Sequence, residues 1–95
     1  MQDSVSIVVR EDVVSTTTAG EVIILDPELG RYYSLDGVGA FVWRSLHEPV
    51  ALLELRDLVV ATYEVDPDVA LADLRSLLRE LASARLVDIR DPQAP

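Results

Sequence analysis

The sequence predicts an α+β fold of winged helix-turn-helix type, with an N-terminal three-stranded antiparallel sheet followed by three helices. Two observations carry this prediction. The first third of the chain is rich in β-branched residues in short runs separated by turn chemistry, and from Asp36 onward apolar residues recur at helical spacing. At 95 residues there is room for one hydrophobic core, so residues 1–95 read as a single domain with 91–95 a frayed tail.

Val5–Val9 and Val13–Thr18 have the β-branched content that suits a pleated surface, and Ala19-Gly20 supplies a turn. Glu21–Asp26 is the next strand. Asp26-Pro27-Glu28-Leu29-Gly30 then has hairpin-loop chemistry, because Pro27 presets a turn and Gly30 tolerates positive φ; Arg31–Leu35 is the partner strand. These runs read together as a meander.

Asp36 precedes apolar residues at Val38, Phe41, Val42 and Leu46 and is the expected N-cap of a first helix. After His47-Glu48-Pro49, residues Leu52, Leu55, Leu58, Val59 and Tyr63 mark a second helix. Asp66-Pro67 starts a third, where Val69, Ala70, Leu71, Leu74, Leu77, Leu78, Leu81 and Ala82 cover a stripe wider than one core contact needs. Leu86–Arg90 closes the chain as a short strand.

The formal charge of −9 repels phosphate backbones and anionic lipid surfaces, which argues against nucleic-acid and membrane partners. With no cysteine there is no disulfide, thiolate nucleophile or thiolate metal site. The N-terminus lacks a basic signal region and Val5–Val9 is too short to span a membrane, so a cytoplasmic location is expected.

Catalytic constellations are scarce. The one histidine, His47, reads as a solvated or capping residue past a helix C-terminus. Glu64, Asp66 and Asp68 lack the alternating ligands and turn glycine of a calcium loop and suit a helix N-terminus instead. Gly37 and Gly39 are not followed by the Gly-Lys-Ser/Thr of a phosphate loop, and Trp43 sits on an apolar helix as a core residue. No metal, no cofactor and no enzymatic activity are expected.

A winged-helix DNA-binding regulator is a competing reading. However, the positions expected to be exposed on the third helix, Asp68, Asp73, Arg75, Ser76, Arg79 and Glu80, are balanced in charge, where a groove reader presents an excess of basic or amide side chains. What remains is a strand edge beside a helix with spare apolar surface, an arrangement that binds extended peptides. Arg31–Leu35 is the candidate edge because it ends the meander and leads into the helices. The residues alone leave open the alternative of an ordinary edge strand blunted by Arg31.

Gly30-Arg31-Tyr32-Tyr33-Ser34-Leu35-Asp36, followed by Gly39-Ala40-Phe41-Val42-Trp43, the Leu-rich second helix, Tyr63-Glu64-Val65-Asp66 and Leu81–Val87, resembles the PqqD-like family. Its members are recognition elements for ribosomally made, post-translationally modified peptides. The likeness spans roughly residues 5–90 and rests on apolar spacing. One departure is His47-Glu48-Pro49, where the family often has Asp-Gly.

The resemblance is strongest to the free-standing leader-binding proteins of split lasso-peptide systems. It implies a precursor leader peptide as ligand, and a cysteine-protease leader peptidase and a macrolactam cyclase as partners. Within the same family, a peptide chaperone for a radical SAM maturase is the alternative. The family arrangement adds the leader as a strand to Arg31, Tyr32, Tyr33, Ser34 and Leu35. Alternation puts Tyr33 and Leu35 on one face and Tyr32 and Ser34 on the other. On the third helix, Ala70, Asp73 and Leu77 form a stripe turned partly away from a core stripe of Leu71, Leu74, Leu78 and Leu81. That first stripe, with part of Leu74, is the expected groove floor. A free edge also leaves homodimerisation open.

Overall fold

The strand-forming runs of the N-terminal third become four strands divided between two sheets. The computed structural model describes residues 2–91, in which β1 (Ser6–Val9), β2 (Val14–Thr18), β3 (Glu21–Asp26) and β4 (Arg31–Leu35) precede α1 (Gly37–Arg44). A short β5 (Val50–Ala51) leads into α2 (Leu52–Tyr63), α3 (Pro67–Ser83) and β6 (Val87–Arg90). Of the tail expected over 91–95, residues 92–95 lie outside the described residues.

The expected three-stranded antiparallel sheet is β2-β3-β4. β1, read from the sequence as part of the same meander, instead sits between β5 and β6, with Ile7 opposite both Val50 and Ile89. Burial accounts for this correction. Ile7 is fully buried and Val5 nearly so, and both belong to the core formed with the helices. Strands β2 to β4 take their pairing from local turns, whereas β1 finds its partners more than forty residues away in sequence.

The β3–β4 hairpin is set by Asp26, which is 5% exposed. Its carboxylate accepts hydrogen bonds from the Glu28 amide at 3.0 Å and the Leu29 amide at 3.4 Å, while its carbonyl accepts from the Gly30 amide at 2.8 Å. Gly30 closes the loop at φ +66, a left-handed conformation that glycine adopts without steric cost. The register that follows puts Tyr33 opposite Ile24 and Leu35 opposite Val22. Val22 and Ile24 are fully buried, so this is the core face of the sheet. The opposite face carries Val14, Leu25 and Tyr32 in one cross-strand row.

Asp36 occupies the N-cap position of α1, as expected, but its side chain makes no capping hydrogen bond. Gly37 at φ +54 puts a left-handed residue directly after it, which turns the first amides away from the carboxylate. At the other end, His47 Nδ1 donates to the Arg44 carbonyl at 3.2 Å, the capping role expected of it. Asp66 caps α3 with its side chain, accepting from the Asp68 amide at 2.8 Å and the Val69 amide at 3.4 Å, with Pro67 opening the helix.

The core lies between the inner sheet face, β1 and the helices, and includes Trp43, Leu52, Leu55, Leu78 and Leu86. On α3 the buried residues are Ala70, Leu74, Leu78 and Leu81, with Leu71 only half-buried. Leu74, Leu78 and Leu81 are buried as the sequence stripe has them, while at its start Ala70 takes the core position and Leu71 stands at its margin. None of the described helices is long and apolar enough to cross a membrane.

Candidate functional site

β4 pairs with β3 along one side only, and no strand pairs with its other side among the described residues. Unpaired backbone amides and carbonyls along such an edge are a template for another strand. Arg31 stands opposite Asp26 at the start of this edge. Tyr32 is 71% exposed on the outer face, where the Ser34 hydroxyl donates to Glu21 Oε1 at 2.8 Å. Tyr33 and Leu35 turn inward and pack against the core.

A cavity of about 260 Å³ opens where α1 begins, α2 ends and α3 passes beneath them. Ala70 and Leu74, both buried, form its floor, and Leu77 and Asp73 stand on the α3 side. Val59 and Tyr63 line it from α2, Val65 from the turn after α2, and Val38 and Gly39 from α1. Val38, Tyr63 and Val65 are exposed by 41%, 39% and 37%, so much of the lining is apolar surface open to water. Their clustering makes this stretch of surface the candidate site.

The edge and the cavity adjoin. A Cβ on Gly39 would stand 3.5 Å from Leu35 Cδ2, so the residue that ends β4 touches the backbone that lines the cavity. Of the residues singled out in the sequence, Ala70, Asp73, Leu74 and Leu77 meet in the cavity wall, while Arg31–Leu35 form the neighbouring edge without lining it. Sequence reasoning missed Val38, Gly39, Val59, Tyr63 and Val65 as lining residues. One signal was available: Val65 is an apolar residue standing alone between Glu64 and Asp66 in an interhelical turn.

The walls are largely apolar, with the Tyr63 phenol and the Asp73 carboxylate as their polar side chains, and among the described residues no basic one lines the cavity. Walls of this chemistry suit apolar side chains. Away from the cavity, the carboxylates of Asp12, Asp26 and Glu28 come within 4.8 Å of one another, but Asp26 Oδ1 is engaged by the hairpin amides.

Residues 21–87 match the family described as coenzyme PQQ synthesis protein D (PqqD). Among solved structures, the chain is similar to TbiB1 in complex with the TbiA(beta) leader peptide, at 34% identity and a TM-score of 0.81 over 93% of this chain and 99% of that one. A lasso peptide synthetase B1 complexed with its leader peptide shares the fold at 20% identity and a TM-score of 0.73, covering 86% of this chain and 96% of that one. So does the PqqD part of Methylobacterium extorquens PqqCD, a stand-alone recognition element for ribosomally synthesized and post-translationally modified peptides. It is 21% identical, with a TM-score of 0.73 over 87% of this chain and 88% of that one. No curated protein sequence matches the chain significantly.

Proposed function

The chain belongs to the PqqD family, and we propose that it binds the leader segment of a ribosomally synthesised precursor, that of a lasso peptide, and presents it to the maturation enzymes. The observation that carries this reading is the unpaired edge of β4 running directly into an apolar cavity beside α3. An extended leader pairs its backbone with Arg31, Tyr32, Tyr33, Ser34 and Leu35. Side chains on its inward face enter the cavity over Ala70, Asp73, Leu74 and Leu77. The relative at 34% identity, solved with a leader peptide bound, supports leader-peptide binding by this chain.

In this role the protein performs no chemistry. It holds the leader and thereby raises the local concentration of the precursor at a cysteine-protease leader peptidase and a macrolactam cyclase in the cytoplasm. Until a leader arrives, the same edge is open to a second copy of the chain.

Calorimetric titration with a synthetic leader from the cognate precursor tests the proposal, with Leu77→Glu as the variant. Leu77 is half-buried at the cavity wall, so a carboxylate there leaves the inner core intact while adding charge to the groove. The loss of one apolar anchor, about 1.5–3 kcal/mol, weakens binding on the order of 10- to 100-fold. Equal affinity in wild type and Leu77→Glu would remove the cavity from the binding site.

A further inference from the structure

Asp73 stands at the mouth of a cavity whose other lining residues are uncharged and largely apolar. Its carboxylate is exposed, and among the described residues it has no hydrogen-bond or ion-pair partner. Its neighbours one helical turn away are Val69, which is 54% exposed, and Leu77, so no cation on its own face of α3 satisfies it. The arginine two residues along, Arg75, is paired with Asp3, and Arg56 is held by Asp57. The rim therefore carries one unbalanced negative charge, that of Asp73, beside an apolar floor.

We propose that this rim selects peptides in which a basic residue lies two positions from the apolar residue that fills the cavity. The inference rests on the peptide-binding reading above and specifies its ligand. Residues two apart on an extended strand face the same way about 6.5 Å apart, close to the roughly 6 Å between Leu77 and Asp73, one turn apart on α3. An apolar side chain over Leu74 and Leu77 therefore brings a lysine or arginine at the second position to Asp73. The methylene stem of that residue lies along exposed apolar surface such as Val69 while its charged head meets the carboxylate. Because Asp73 is solvent-exposed, the pair is worth a factor of about two to five in affinity at physiological salt. This is a specificity term added to the apolar anchor and the backbone pairing.

The test is selection from a displayed library of random twelve-residue peptides on the folded wild-type protein, on Asp73→Asn, and on Asp88→Asn. The last removes the same charge from an exposed position on β6. The expected result is that wild type and Asp88→Asn both enrich an apolar residue with lysine or arginine two positions away. Asp73→Asn should keep the apolar residue and lose the basic one. A selected peptide should bind Asp73→Asn two- to fivefold more weakly than wild type, with the difference shrinking as salt rises. Enrichment of apolar anchors without a basic neighbour, or the same basic preference in Asp73→Asn, overturns the inference while leaving peptide binding standing. Failure of wild type to enrich any peptide overturns both.

Discussion

The ring of Phe41 on α1 stands edge-on to that of Tyr63 at the end of α2, with centroids 5.5 Å apart and planes at 86°. Tyr63 is also a wall of the cavity, so this contact ties the position of that wall to the first helix. Phe41→Ala removes the edge contact, worth about 0.5–1.5 kcal/mol, together with the burial of a half-buried ring. Urea unfolding is expected to show a loss of about 2 kcal/mol in all, and affinity for a leader peptide should fall with it. Tyr63→Phe keeps the ring and should unfold within about 0.5 kcal/mol of wild type. Equal stability of Phe41→Ala and wild type would show that the rings do not hold the wall.

Gly39 offers a variant in which stability and binding move in opposite directions. It lies inside α1 without a positive φ, and an added Cβ meets Leu35 at ordinary van der Waals distance. Gly39→Ala is therefore expected to raise stability by about 0.5–1 kcal/mol through helix propensity. The same methyl group projects at the cavity lining, so leader affinity should drop. Thermal unfolding and calorimetric titration of one sample check both halves. A variant that is both more stable and equally tight in binding would place the ligand elsewhere.

Asp66 separates fold from function on α3. Asp66→Ala removes an acceptor used by two amides at the helix start, which costs about 1 kcal/mol. For a domain of this size the unfolding midpoint should fall by roughly 4–8 °C per kcal/mol. Since Asp66 does not line the cavity, affinity measured well below the midpoint should stay within about twofold of wild type, the scale of a small change in surface electrostatics.

Much of this architecture is legible in the chain because its signals are local. Asp66-Pro67 opens α3, Asp26-Pro27 with Gly30 makes the β3–β4 turn, and His47 caps the end of α1, each through contacts within a few residues. The partners of β1 are not local, and no neighbouring residue signals that Ile7 will face both Val50 and Ile89. The exchange of Ala70 for Leu71 in the buried stripe of α3 is missed for a related reason. Apolar spacing identifies the buried stripe, but packing against α2 decides that Ala70 goes inside and Leu71 to the edge. The cavity is half legible: α3 contributes a recognisable stripe, while Val38, Tyr63 and Val65 become one surface only when three elements meet.

The proposed function depends on β4 receiving the leader as an added strand beside the α3 cavity. A titration of the amide NMR spectrum with a synthetic leader peptide tests this most directly, combined with hydrogen exchange of the bound form. Saturable shifts are expected at residues 31–35 and 69–81, with new protection of amides along the free edge of β4 and with β2 and β6 unchanged. Shifts centred on β2 or β6, or no shifts with the folded protein at leader concentrations above micromolar, would contradict it.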